Sequence, residues 1–139
     1  MISVKQVSKS FGERRVLNQI TMQVAPGECV FVLGKSGVGK SVLLKLMVGL
    51  NSPESGEIHV AGLKVDAENS QTLAQIRKKC GLVFQFPALL DSVSVFENIS
   101  FGIRAREISV NPSEIEAKVR EKLSLVGLNE KVLGKFPTE

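Results

Sequence analysis

The sequence has few metal-binding side chains and no long hydrophobic run. Its two cysteines, Cys29 and Cys80, lie far apart without a CxxC pair, and His59 is the only histidine. These counts argue against a metal site or a disulfide framework, so we expect both cysteines to be buried, reduced thiols. No apolar stretch approaches the roughly 18 residues that a membrane helix requires.

Charge and composition also limit the possible functions. The net charge of +4 permits an anionic ligand, but lysine and arginine are scattered along the chain, which argues against nucleic acid as the main partner. Residues 1–5 lack a basic region followed by an apolar core, so we expect no secretory signal and a cytosolic chain. The 139 residues, 43% of them apolar, predict one folded domain.

One segment matches the phosphate-binding pattern G-x-x-x-x-G-K-[ST] without a mismatch. It reads Gly34-Lys35-Ser36-Gly37-Val38-Gly39-Lys40-Ser41 and is called the phosphate loop below. Glycines let the backbone curl around phosphates with its N–H groups pointing inward. Lys40 would supply charge for the β- and γ-phosphates, and the Ser41 hydroxyl can ligate Mg²⁺.

The flanks of the phosphate loop support the same interpretation. The apolar run 29–33 predicts a strand before it, and residues 41–48 predict a helix whose N-terminal dipole faces the anion. The alternative is a chance match in a glycine-rich turn, which we expect less than about one time in a hundred.

The rest of the pattern predicts an α/β chain with a β-rich N-terminal part. Alternating residues at 2–4 and 20–24 indicate half-buried strands, and 57–60 and 63–65 flank Ala61-Gly62 as a hairpin. Helical spacing of Leu73, Ile76 and Cys80 precedes residues 80–85, which read as a buried parallel strand.

A third helix is predicted to begin at the capping sequence Asn111-Pro112-Ser113-Glu114. Gly127 is placed to end this helix. One side of it is predicted to be buried, at Ile115, Val119, Leu123 and Val126.

With these motifs in order, the chain resembles the ATP-binding subunits of ABC transporters from residue 1 to residue 139. Phe11, in Lys9-Ser10-Phe11-Gly12, matches the aromatic residue that stacks on adenine in this family, although alone it could equally be a core residue. The resemblance implies nucleotide contacts at Phe11 and Val16. It also implies a P-loop NTPase core with an N-terminal antiparallel β-layer, and ATP and Mg²⁺ as ligands.

Gln85 resembles the Q-loop glutamine of the family. Its side-chain carbonyl would reach Mg²⁺ or the attacking water, so the resemblance implies a catalytic role for Gln85 and a metal site shared with Ser41. An amide at the carboxyl end of a strand is well placed for that role.

Residues 86–99 look like the surface that receives a coupling helix from a transmembrane permease subunit. The alternative is an apolar loop folded back on its own domain. Residues 89–92 and 95–98 look most like the ATPases of phospholipid-trafficking, toluene-tolerance-type systems. The resemblance implies a homodimer in the full-length protein and a cytoplasmic location, peripheral at the inner face of the membrane.

The sequence also departs from the family. We find no signature motif of the family. The only segment that resembles its Walker B strand ends in Asp91, and Ser92 stands where the catalytic Glu would follow. His59 precedes Gln85, so it lies in the wrong place for the switch histidine. We therefore expect residues 1–139 to be a partial nucleotide-binding domain, incomplete at the C-terminus, with an uncovered sheet face and low stability. By itself it is expected to bind Mg·ATP without hydrolysing it.

Two other functions remain open at this point. A small P-loop metabolite kinase would usually carry an Arg-rich lid and a second carboxylate at a strand end, and we find neither. A non-hydrolysing nucleotide-binding or interaction module would need only the phosphate loop. The transported compound and its direction are not determined by this sequence.

Overall fold

The computed structural model describes residues 1–86, 88–106 and 111–139, which divide into two units, Met1–Leu82 and Val83–Glu139. The first unit contains a four-stranded antiparallel sheet of order β2-β1-β3-β4. Its strands are β1 (Ile2–Phe11), β2 (Arg14–Val24), β3 (Ser55–Val60) and β4 (Leu63–Lys64). The predicted N-terminal β-layer is confirmed, with longer strands than the alternation indicated.

Two hairpins set the register of this sheet. Ile2 lies opposite Val24 and Phe11 lies opposite Arg14, so β1 and β2 pair along nearly their whole length. β3 and β4 turn at Ala61 and Gly62, with φ of 51° and 80°. Positive φ at both central residues is the geometry of the tightest hairpins. The hairpin predicted at this point is therefore confirmed.

Two helices pack on the sheet in the first unit. α1 spans Lys40–Met47 and α2 spans Ser70–Lys79, the latter capped by Asn69, whose side chain accepts from the Thr72 N–H at 2.9 Å. The common core is apolar and consists of Val4, Val7, Leu17, Leu43, Leu46, Met47, Ile58, Val60, Val65, Leu73 and Ile76. It fixes α1, and with it the end of the phosphate loop, against the β-layer.

The strand expected at 29–33 and the buried parallel strand expected at 80–85 do not form. Residues 29–33 are all exposed, with Leu33 87% accessible, and Val83 is 94% accessible. A parallel strand is stabilised by ladder hydrogen bonds to its neighbours and by cover on both faces. Within the described residues the only sheet is the antiparallel one, so neither segment finds a partner.

The same difference corrects the expectation for the cysteines. Cys29 is exposed because its segment lies outside the sheet, and Cys80 is half-buried as the residue that ends α2. Both are reduced thiols, as expected, but neither is fully buried.

The second unit is helical. α3 spans Val95–Arg106 and α4 spans Pro112–Leu125, followed by a 3₁₀ turn at Glu130–Val132. The Asn111 side chain accepts from the Glu114 N–H at 2.9 Å, which confirms the predicted cap of α4. α3 was not expected.

The buried face of α4 is as predicted except at its end. Ile115, Val119 and Leu123 are buried, but Val126 is exposed. Val126 follows the last helical residue with φ of −101° and ψ of 9°, so it no longer continues the helical spacing. No helix in the parts of the chain that the structure describes is long and apolar enough to cross a membrane.

Candidate functional site

The phosphate loop leads directly into α1 and is anchored on β2. Gly39 precedes the helix with φ of 108°, and a Cβ placed there would lie 2.7 Å from Val16 Cγ1 and 3.0 Å from Leu17 Cδ2. Contacts under 3.0 Å are not tolerated, so only glycine fits this close approach. Val16 therefore supports the loop at its junction with the helix.

Lys40 lies across the mouth of the loop. Its ammonium donates to the carbonyl oxygens of Gly34 at 2.8 Å and Lys35 at 2.7 Å. α1 has no acidic residue in its first turn, and Gly39 offers no side chain to cap it. The N–H groups of that turn and the Lys40 charge therefore provide an electropositive site of the kind that binds phosphate.

Arg14 adds a second side chain to the loop from outside the motif. Its guanidinium donates to the carbonyl oxygen of Gly37 at 3.0 Å. Arg14 is the first residue of β2, so the turn of the hairpin carries it to the loop. Its pairing could have been anticipated only from the short Gly12-Glu13 connection, which places the start of β2 next to Phe11.

Phe11 lies at the same end of the hairpin. Its side chain is 50% exposed, and the Lys9 ammonium lies 5.5 Å from the centre of its ring. Because Phe11 is opposite Arg14 and Arg14 bonds to Gly37, the aromatic ring and the phosphate loop belong to one neighbourhood. The alternative that Phe11 is a core residue is not supported by this exposure.

Ser41 is the candidate metal ligand of this neighbourhood. It is exposed in the first turn of α1, next to Lys40. The described residues contain no group of three or more His, Cys, Asp or Glu side chains that could hold a metal ion. A cation here would depend on the Ser41 hydroxyl together with the phosphates themselves.

Gln85 lies in the second unit, in an exposed bend after residues 81–84. The strand expected to present it is absent, so the argument from a strand end does not apply. Its proposed contact with Mg²⁺ or water stays a prediction from the family resemblance.

The segment 86–99 is described except for Pro87, which lies outside the described residues. Leu89 and Leu90 are exposed, and Phe96 is half-buried within α3. The Asn98 side chain accepts from the Leu90 N–H at 2.8 Å and donates to the Leu90 carbonyl at 3.0 Å. The loop before α3 thus has a fixed backbone and presents apolar side chains outward.

Comparisons with known proteins show the family to which this chain is similar. The family described as "ABC transporter" matches residues 17–139. The sulfate/thiosulfate import ATP-binding protein of Pectobacterium atrosepticum is 38% identical over 130 residues, covering 92% of this chain and 38% of its own length. The probable ribonucleotide transport ATP-binding protein of Mycobacterium leprae is 41% identical over 140 residues, covering 99% of this chain and 39% of its own.

A solved structure shares the fold. The dimeric post-hydrolysis state of the ATP-binding cassette MJ0796, bound to ADP and Pi, superposes with a TM-score of 0.89 at 27% identity, over 99% of this chain and 62% of that one. The chain spans 38% and 39% of the lengths of the two curated relatives named above, which is well under half. The family match covers most of the chain and the cassette fold accounts for nearly all of it, so the chain belongs to the ABC transporter family and has the P-loop NTPase fold of its ATP-binding cassettes.

Proposed function

We propose that residues 1–139 form the nucleotide-binding portion of an ABC transporter ATPase and bind Mg·ATP at the phosphate loop. The nucleotide site comprises Phe11 for the base, Val16 as support, and residues 34–41 for the phosphates. The observation that carries the proposal is the position of Lys40, whose ammonium is held 2.7–2.8 Å from two carbonyls of the loop. From this position the Lys40 ammonium can exchange its hydrogen bonds to these carbonyls for hydrogen bonds to phosphate oxygens, without a change in the backbone.

Magnesium fits the residues present. Ser41 would hold the ion from the protein side, with Gln85 as a second ligand or as the residue that orients the attacking water. When bound, the ion would neutralise charge on the β- and γ-phosphates. The residues of this chain bind and orient the nucleotide, and we propose no turnover by these 139 residues alone.

The partners follow from the family. We propose a transmembrane permease subunit that contacts residues 86–99, and a second copy of the ATPase in the full-length protein. The exposed side chains of Leu89 and Leu90 support the first contact. The proposed location is the cytoplasmic face of the membrane, and nucleic acid is not proposed as a partner.

A phospholipid substrate is proposed on the resemblance of residues 89–92 and 95–98 alone. Relatives named for sulfate/thiosulfate import and for ribonucleotide transport match at 38% and 41% identity. Selectivity in this family is expected to lie in the membrane or substrate-binding subunits.

Calorimetry with Mg·ATP tests the nucleotide site. Lys40→Ala should weaken binding about 10- to 100-fold, because it removes charge-assisted hydrogen bonds to the phosphates. Lys45→Ala is the matched control, since Lys45 is exposed in the last turn of the same helix. Equal affinities of wild type and Lys40→Ala, with both folded, would contradict the proposal.

A further inference from the structure

We propose that Arg14 is a positioning residue of the nucleotide site, which holds the phosphate loop in its binding shape from β2. The inference rests on the proposed function, since it assumes that the loop binds nucleotide. It adds a residue that lies outside the G-x-x-x-x-G-K-[ST] motif and before the residues matched to the family.

The hydrogen bond from Arg14 fixes the orientation of one peptide group in the loop. The guanidinium donates to the Gly37 carbonyl oxygen at 3.0 Å. A trans peptide is planar, so its C=O and N–H groups point in opposite directions. Holding the Gly37 carbonyl toward β2 therefore aims the Val38 N–H away from β2. Gly37 has φ of 76°. Because a glycine backbone can adopt many conformations, the hydrogen bond from Arg14 would restrict its rotation.

Among the residues that the structure describes, two cationic side chains donate to three carbonyl oxygens of the loop. Lys40 occupies those of Gly34 and Lys35, and Arg14 occupies that of Gly37. When a nucleotide draws Lys40 toward its phosphates, the Arg14 bond remains. The Arg14 bond can thus keep the loop open during binding.

Arg14 and Val16 make a two-point attachment. Arg14 holds Gly37 by a polar contact, and Val16 packs against Gly39 so closely that a Cβ there would lie 2.7 Å away. The contacts are two residues apart on both segments. Since Arg14 is also opposite Phe11, the same end of the hairpin sets the spacing between the ring and the loop.

The neighbouring arginine provides a matched control. Arg15 is also exposed on β2, but its guanidinium donates to the Asn18 side-chain oxygen at 3.3 Å rather than to the loop. Arg14→Gln and Arg15→Gln remove the same charge and shorten the same stem. Arg14→Lys keeps the charge but has one donor nitrogen in place of the guanidinium fork.

The experiment combines calorimetry with carbonyl ¹³C NMR on the 139-residue chain. Arg14→Gln should weaken Mg·ATP and Mg·ADP binding by equal factors, about tenfold, because the loop cradles the α- and β-phosphates that both ligands carry. The Gly37 carbonyl resonance of the free protein should move in Arg14→Gln. Arg15→Gln should leave that resonance in place and change affinity less than about twofold. Arg14→Lys should recover at least half of the loss on a logarithmic scale.

The outcomes separate this inference from the proposed function. If wild type binds Mg·ATP and Lys40→Ala does not, the proposed function stands. In that case an unmoved Gly37 resonance, equal losses in Arg14→Gln and Arg15→Gln, or a loss confined to ATP overturns the positioning role of Arg14. If wild type does not bind Mg·ATP, both proposals fail. If Arg14→Gln does not fold, Arg14→Lys and Arg15→Lys are compared instead. The Gly37 resonance and the affinities for Mg·ATP and Mg·ADP of these two variants then decide the question.

Discussion

Single residues of β2 determine how the phosphate loop is held. The motif supplies the groups that would meet phosphate, Lys40 and Ser41, but its backbone rests on Val16 and Arg14, which the motif does not contain. A loop with positive φ at Gly37 and Gly39 has high conformational freedom when unfolded. Contacts that restrict it in the free protein reduce the ordering cost of binding a ligand.

Phe11 is the residue proposed to distinguish a nucleoside from a bare phosphate chain. Phe11→Ala should weaken Mg·ATP binding about tenfold or more, in the range of base–aromatic stacking. It should leave the affinity for inorganic tripolyphosphate unchanged, since that ligand has no base. Calorimetry with both ligands measures the difference.

Phe101→Ala is the control for Phe11→Ala. Phe101 is 65% exposed on α3 and lies in the other unit, so its loss should change neither affinity. Parallel losses for ATP and tripolyphosphate in Phe11→Ala would instead assign Phe11 a structural role.

At the scale of elements, hydrogen bonds between Ser94 and Glu97 stabilise the start of α3. The Ser94 N–H and hydroxyl both donate to the Glu97 carboxylate at 2.9 Å, and the Ser94 hydroxyl accepts from the Glu97 N–H at 3.2 Å. This reciprocal arrangement is a capping box. The Val95 and Phe96 N–H groups donate to carbonyls of Lys135 and Leu133, so the C-terminal turn completes the cap.

The capping box makes the stability of α3 dependent on pH. Hydrogen bonds from the Ser94 backbone and hydroxyl, with a weaker attraction to Arg104, hold the pKa of Glu97 below its ordinary value of 4.5. A lowered folded-state pKa means that the stabilisation is complete above pH 4.5 and is lost as the pH falls through the lower folded value.

The Ser94 amide proton measures this titration by NMR. Its chemical shift should change with a midpoint below 4.5, and Glu97→Gln should abolish the change. Ser94→Ala, which removes only the hydroxyl, should return the midpoint part of the way. A wild-type midpoint at or above the ordinary value would contradict the proposed cap.

Elements whose signals are local could be predicted from the sequence. The Ala61-Gly62 hairpin, the Asn111 cap and the helix after the phosphate loop depend on residues within a few positions of each other, and all three are confirmed. Residues 29–33 and 80–85 have the composition of strands, but a strand also needs a partner, which local composition does not provide. The capping box of α3, formed by Ser94 and Glu97, is also a local sequence pattern. It was not predicted, because these residues were interpreted as part of the permease contact at 86–99.

The candidate site follows the same division. The motif predicted residues 34–41 as the phosphate-binding segment and the family resemblance predicted Phe11 as the adenine contact, and both roles stay predictions. Arg14 was missed because its contact with Gly37 spans 23 positions of the sequence. The sequence of a motif does not indicate which side chains on another strand support it.

At the scale of the whole molecule, the proposed roles divide between the two units. The first unit carries Phe11 and the phosphate loop, and the second carries Gln85 and the apolar residues of 86–99. A transport ATPase must link nucleotide state to a membrane partner. The surface around Leu90 is the proposed end of that link, and Gln85, five residues earlier, is its proposed beginning.

Leu90→Asp tests this surface in the full-length protein with its permease subunit. Leu90 is 50% exposed, and its backbone N–H and carbonyl are both held by Asn98, so the substitution changes the surface without changing the loop. Exposed substitutions of this kind alter stability by about 0.5 kcal/mol or less. We expect loss of permease co-purification and of transport, with Mg·ATP affinity within about twofold of wild type.

Two further variants identify the cause of such a loss. Phe101→Asp places the same charge on another exposed apolar residue outside 86–99, and it should leave permease binding intact. Asn98→Ala removes the hydrogen bonds that shape the loop while keeping Leu90, and it should weaken permease binding because the side chain is no longer held in place. If Leu90→Asp instead lowers the unfolding temperature by several degrees and loses Mg·ATP binding as well, then Leu90 belongs to the core of its unit and the segment 86–99 folds back on its own domain.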